Sequence, residues 1–548
     1  MLYKFRGIVA ILCLLIPFVL YAKMPKNVQD FEKLPRSIAK DYYIYRFLRE
    51  NTIKSEDAQK LLEQTKRVNF KLFYLFAKKL NDKGFTKVAK CLKLRLNDLL
   101  KQDNECIAIG LNVSKALALD KKDIKNLAKR LKDYKKLSST LRVLSYPDVM
   151  SEALKNSKKF IGIFNSANSK YRKKIFDKEL SKKEINKLAI QKRFNRSIEI
   201  IVLQKNLKNL KKSLLLVNPN QNLTQKSLFY LALNALKHKK KNLALDFLDS
   251  TYKKAYYRFD KDKVLFWKYL ITKDRKYLKK LETSFDINLY TIFAREKLST
   301  TFENIITPQV KNQEKNYDIQ NPFLWIDLRQ KIKHKKSKAL EKMAKGFEYR
   351  NTISQYSFIM QKASRYKKHY FPIPFNHFLD NYTNKRKSLI LAIAKQESNF
   401  IPASISTSYA LGMMQFMPFL ARAIAKNQKI KNFDLDDMFD PKISYKFANL
   451  HLNFLVKKLH NPLFIAYAYN GGIGYTRRLL KRDYFKKGEY EPYLSMELIS
   501  YPETRRYGKK VLANYIIYMQ LLGEKVSLDE LIRKLKNPYG NITQKPKN

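Results

Sequence analysis

The chain is predicted to be mainly α-helical: a long N-terminal array of helical hairpins, a helical linker domain and a C-terminal domain. Three observations carry this. Helix breakers are scarce, with 13 Gly and 17 Pro among 548 residues. Apolar residues recur at i, i+3 and i+4. Apolar helical runs also stop at short polar breaks and then resume, and such pairs cannot bury their inner faces except by stacking on neighbours.

The elements follow in order. Residues 1–22 begin Met-Leu-Tyr-Lys4-Phe-Arg6, run apolar from Gly7 to Leu20 and reach the small residue Ala22. A basic start, a brief apolar core and a small residue are the pattern of a secretory signal peptide. The apolar core is shorter than the roughly 18 residues of a spanning helix. Cys13 lacks a lipoprotein-type context, so no lipid anchor is expected. Residues 23–300 form the hairpin array. Phe73 to Leu80 breaks at Asn81–Gly84 and resumes through Val88, Ala89 and Leu92; Leu228 to Leu236 breaks at His238–Asn242 and resumes through Leu243, Phe247 and Leu248. Residues 301–370 form the linker domain, with Pro322, Trp325 and Leu328 in its core. Residues 371–523 form the C-terminal domain. From 524 to 548 one amphipathic helix (Leu528, Leu531, Ile532, Leu535) precedes a polar tail with the composition of disorder.

The chemistry concentrates in the C-terminal domain. In Leu391-Ala-Ile-Ala-Lys-Gln-Glu397-Ser398, Glu397 shares a helical face with Leu389, Ile390, Ile393 and Ala394. Asn381, Thr383 and Asn384 offer N-cap oxygens upstream, and Pro402 limits the helix beyond. An inward carboxyl in the last turn is desolvated and lies at the negative end of the helix dipole. Both effects raise its pKa and suit a general acid. Gly412-Met-Met-Gln415-Phe-Met417-Pro418 and Ala468-Tyr469-Asn470-Gly471-Gly472 follow, two segments able to line a polar cleft. Most glycosidases use two carboxylates, and no second acid is an obvious partner. Asp434, Asp436, Asp437 and Asp440 read as a solvated loop.

This ordered trio closely resembles the catalytic domain of soluble lytic murein transglycosylases. The likeness runs from about Tyr370 to Leu522, with Tyr370-Phe-Pro-Ile-Pro-Phe375 at its start and Pro502-Glu-Thr-Arg-Arg-Tyr507 near its end. The resemblance implies a goose-lysozyme-like fold, α with a small β element, behind an α-superhelix. It implies Glu397 as the catalytic acid and Ser406 as a serine hydrogen-bonded to it. It implies substrate contacts from Gln415, Met417, Tyr469, Asn470 and Glu497. Tyr409 stands where the family usually has glycine, which matters if that position needs positive φ. Glu503 and Arg505 read as a structural ion pair.

The expected activity is cleavage of the β-1,4 bond between N-acetylmuramic acid and N-acetylglucosamine without water, leaving 1,6-anhydromuramic acid ends. The expected setting is the periplasm. Two alternatives stay open: a hydrolytic muramidase on the same scaffold, and a cell-wall or secretion scaffold with a vestigial catalytic domain. No cofactor is expected. The six histidines have no metal-ligand spacing, so no metal is expected either.

The net charge of +63 attracts polyanions. The basic residues are spread without a nucleic-acid-binding module, so glycan strands with anionic stem peptides are the expected partner rather than nucleic acid. A lysine-rich compositional bias explains the charge equally well. No stable membrane insertion is expected after signal cleavage. Cys91 and Cys106 remain: in an oxidising compartment they form a disulfide, and otherwise they are two buried thiols on neighbouring helices.

Overall fold

A computed structural model describes residues 25–536 apart from 26, 51, 483 and 487. The signal-peptide reading at 1–22 and the tail beyond 536 lie outside the described residues. Among the described residues helices dominate, and the one paired strand ladder is parallel, Ile305–Ile306 against His369–Tyr370.

The array is built as the breaks in the sequence suggest. Helices Phe70–Lys79 and Lys83–Lys93 are separated by Asp82, whose side chain accepts the Phe85 N–H at 2.7 Å. That bond satisfies one of the open donors of the second helix. Helices Gln225–Lys237 and Lys241–Lys254 turn over at Lys239, φ +60. Asn caps recur at such joints because the short amide reaches the first-turn N–H groups: Asn69, Asn112, Asn156 and Asn168 all do so. Cys91 and Cys106 are disulfide-bonded across 15 residues, a closure that stabilises by about 3 kcal/mol in the chain-entropy account.

The linker has its own small core of Trp325, Leu328, Ile332, Leu340, Ala344, Ile359 and Ala363, reached from the C-terminal domain by Ile401. Its helices are Pro322–Ile332, Ser337–Lys345 and Ile353–Ala363.

The C-terminal domain is arranged around helix Asn384–Ser398, which packs on helix Pro502–Leu521; helix Pro462–Gly471 packs on the same long helix. Gly508 allows that second approach. A Cβ there would lie 2.1 Å from Tyr467 Cε1, so any side chain would push the two helices apart. The final helix, Leu528–Lys534, is tethered to the end of the array: Glu296 accepts the Leu528 N–H at 2.8 Å and the Asp529 N–H at 3.2 Å. Among the described residues no helix is long and apolar enough to cross a membrane.

The array meets the C-terminal domain at both of its ends. Near residue 290, Tyr290 donates to Glu497 at 2.5 Å, and Lys509 donates to both Glu497 oxygens at 2.7 Å. At the N-terminal end, Arg46 of helix Ile38–Glu50 pairs with Asp434 at 2.6 Å and Asp436 at 3.0 Å, and Tyr43 donates to Asp436 at 3.2 Å. The acidic segment read as a solvated loop is therefore a docking site. Its carboxylates neutralise a guanidinium that is only 6% exposed, a charge too costly to bury unpaired.

Candidate active site

Glu397 occupies the last turn of helix Asn384–Ser398, as its apolar spacing requires. Thr383 caps the start by accepting the Arg386 N–H. Asn399 ends the helix in the left-handed region, φ 52, three residues before Pro402. An asparagine at this position satisfies the last carbonyls with little strain.

The carboxyl of Glu397 is half-buried. Burial pushes its pKa up to about 8, the nearby Glu503 charge adds to the rise, and a hydrogen bond from Tyr507 opposes it. Tyr507 Oη donates to Glu397 Oε1 at 2.8 Å. Near neutral pH the group therefore carries a proton and can donate it.

Around the acid, three segments converge. Tyr469 lies close enough that the Glu397 charge, after burial itself, raises the phenol pKa well above its ordinary value. Its hydroxyl donates to the Met414 carbonyl at 2.9 Å, which joins helix Pro462–Gly471 to the 399–417 loop. Asn470 donates to Glu503 at 3.2 Å and accepts from Thr504 at 2.7 Å. Gln415, with φ 51, folds its amide back onto the Ser404 and Gly412 carbonyls at 3.1 and 2.7 Å. Gly412 itself has φ +73, and a Cβ there would meet the Met438 carbonyl oxygen at 2.0 Å. Met417 is half-buried at the N-cap of helix Pro418–Asn427. Beside Glu503, Tyr501 stacks on Tyr475 with centroids 4.1 Å apart and planes 8° from parallel, and Tyr501 is 49% exposed.

Tyr507 and Tyr469 thus stand beside Glu397, Tyr469 is tied to the Met414 carbonyl next to Gln415, and Asn470 is tied to Glu503. Two residues do otherwise. Ser406 does not bond the acid: its Oγ accepts the Ala410 N–H at 2.9 Å, closing a turn within its own loop, and the hydroxyl on Glu397 comes from Tyr507. Glu497 does not face a saccharide surface. It is 5% exposed and saturated by Lys509 and Tyr290. Burial works against its charge, yet Lys509, Lys263 and Tyr290 together outweigh burial and hold the carboxyl below its usual range. Glu503 and Arg505 do not pair with each other. Glu503 faces Asn470, while Arg505 donates to the Ile499 carbonyl at 2.5 Å and lies 3.8 Å from Glu199 of the array.

Tyr507 and Glu503 were not read as site residues. The closing Pro502-Glu-Thr-Arg-Arg-Tyr507 block held the available signal: Glu503 and Tyr507 are four apart and share a helix face.

Tyr409 adopts φ +66, a left-handed geometry that costs a residue with a Cβ about 1–2 kcal/mol. Its ring is 1% exposed against Tyr42 and Tyr45, burial that stabilises by about 2–3 kcal/mol and offsets the strain. Among the described residues no cluster of His, Cys, Asp or Glu is arranged to hold a metal ion.

Comparison with known proteins agrees with this geometry. The family model described as "Transglycosylase SLT domain" matches residues 378–491. The soluble lytic murein transglycosylase of Escherichia coli K12 is 31% identical over 163 residues, 29% of this chain and 25% of the relative. A putative soluble lytic murein transglycosylase of Haemophilus influenzae is 36% identical over 152 residues, 28% of this chain and 25% of the relative. The matched stretch thus spans about a quarter of each curated relative. Over nearly the whole chain, the fold is similar to two solved structures. One is the 70 kDa soluble lytic transglycosylase of Escherichia coli: TM-score 0.50, 17% identity, 92% of this chain and 84% of that one. The other is an inactive mutant of lytic transglycosylase Slt from Pseudomonas aeruginosa: TM-score 0.52, 15% identity, 90% of this chain and 83% of that one.

Proposed function

We propose that this protein, whose residues 378–491 match the transglycosylase SLT domain model, is an exported enzyme that cleaves murein glycan strands without water. The observation that carries the reading is one half-buried carboxyl, Glu397, whose pKa burial pushes up to about 8 and which has Tyr507 and Tyr469 beside it. The relatives' printed names, which describe lytic murein transglycosylases, point the same way.

Glu397 gives its proton to the glycosidic oxygen as the bond from C1 of N-acetylmuramic acid to that oxygen breaks. The 2-acetamido group of the sugar stabilises C1 from within, a route that needs no second carboxylate. The Glu397 carboxylate then takes the proton from the C6 hydroxyl, and that oxygen closes onto C1. One C–O bond breaks, one forms, and the proton returns to Glu397. The product end is 1,6-anhydromuramic acid. Export rests on the 1–22 segment, and glycan strands with anionic stem peptides suit the basic surface.

The hydrolytic reading keeps one specific support. Glu503 stands near enough to Glu397 to raise its pKa, and such a carboxylate is a candidate to activate a water. Mass spectrometry of digested murein decides between the two. We expect ends lighter by one water throughout; reducing ends throughout would sink the non-hydrolytic scheme.

Tyr507 tunes the acid. Its O–H favours the charged carboxylate, so Tyr507→Phe should raise the Glu397 pKa further. The alkaline limb of the pH–rate profile should move to higher pH in that variant. A limb that stays in place or moves down would count against the assignment of that limb to Glu397.

A further inference from the structure

The turn 406–410 is built from both sides. On the catalytic side it is continuous with the substrate loop. Tyr409 N–H donates to the Ser406 carbonyl at 2.9 Å, Ser406 N–H to the Ala410 carbonyl at 3.0 Å, and Gly412 N–H to the Ser404 carbonyl at 2.9 Å. That same Ser404 carbonyl receives the Gln415 amide. The Leu411 and Phe416 backbones then pair, and Met414 receives Tyr469.

On the other side three successive residues are gripped by the N-terminal helices. Asn69 donates to the Thr407 carbonyl at 3.4 Å, and Lys71 donates to the Ser408 carbonyl at 3.0 Å. Tyr409 lies between Tyr42, at 5.7 Å, and Tyr45, at 5.2 Å, with the Lys71 ammonium 5.5 Å from its ring centroid. Within the catalytic domain alone the φ of Tyr409 favours glycine. A tyrosine there has a physical reason only in the contacts it makes outside that domain.

We propose that Tyr409, held by Tyr45 and Lys71, is a positioning residue through which the N-terminal helices set the shape of the glycan-binding loop 404–417. The inference rests on the function proposed above for that loop. In this proposal Tyr45 and Lys71 work through the turn and not by contact with the substrate. They act by fixing the turn whose backbone carries Gln415 and braces Tyr469, and a small displacement of such a loop is enough to weaken binding.

The test uses the full chain in four variants, Tyr45→Ala, Lys71→Ala, Tyr409→Gly and Tyr409→Phe, assayed on isolated glycan strands. Tyr45→Ala and Tyr409→Gly should raise KM by about tenfold with kcat within about threefold, since uniform binding is lost while the acid is untouched. Lys71→Ala should move KM in the same direction. Tyr409→Phe, which keeps the ring, should resemble the parent protein. Glycine relieves the backbone strain, so a merely structural tyrosine predicts an unchanged KM in Tyr409→Gly. That result, or an unchanged KM in a folded Tyr45→Ala, would overturn the proposal. Amide hydrogen exchange at 406–411 supplies a readout independent of turnover: faster exchange in Tyr45→Ala and Lys71→Ala supports the clamp, and parental rates refute it. If the parent protein releases no glycan fragments, the reading of function fails, and the exchange experiment still decides the clamp.

Discussion

Glu397→Gln is expected to lower murein cleavage by about 10²–10⁴-fold, the range of general-acid contributions. Glutamine keeps the shape and the Tyr507 contact but has no proton to give. In the parent protein the acid is the protonated form and its pKa is about 8, so the rate should decline as pH rises through about 8. The same group links pH to stability. Its folded value lies above the ordinary 4.5. Its contribution is therefore fully present below the unfolded pKa and is lost as pH rises through the folded one. Glutamine carries no such dependence. Urea melts at pH 5 and pH 9 should show the variant gaining stability relative to the parent at the higher pH. Retained turnover would remove Glu397 from the mechanism, and an equal stability difference at both pH values would show that its carboxyl is not desolvated.

The second large effect is on stability. Lys509 and Glu497 are 4% and 5% exposed and bond each other at 2.7 Å, with Tyr290 completing the group from the array. Lys509→Met leaves a carboxylate buried without its cation and should cost about 3–5 kcal/mol. The double variant Lys509→Met, Glu497→Leu removes both charges and should recover most of that loss, because well-packed apolar groups often replace a buried pair without penalty. Denaturant titration of the three proteins measures this. A single variant within about 1 kcal/mol of the parent would mean that water reaches the site and screens the charge. Neither residue touches Glu397, so the folded double variant should keep its kcat.

Much of the candidate site was legible because its chemistry is local in the chain. The i, i+3, i+4 run from Leu389 to Glu397 sets which side of the helix faces inward, and hence why the acid is desolvated. The break at Asn81–Gly84 was legible for the same local reason, and the structure places the capping Asp82 within it. Ser406 was misplaced because a serine in a turn can satisfy its own backbone within four residues, and here it does. Glu497 was misplaced because a carboxylate in a helix carries no local sign of whether a lysine twelve residues on will be buried with it.

The helical class, the hairpin breaks and the inward acid are set within the sequence, since each follows from period or breaker within a few residues, while the unusual tyrosine at 409 shows only beside the family pattern. Only the tertiary structure decided that Tyr507, 110 residues away, holds the acid, that Tyr290 joins Lys509 on Glu497 across 207 residues, and that Arg46 meets Asp434 across 388. These contacts depend on which faces stack when the array and the C-terminal domain bury their surfaces together. That choice is made by packing and by the need to pair buried charge, and neither leaves a periodic trace along the chain.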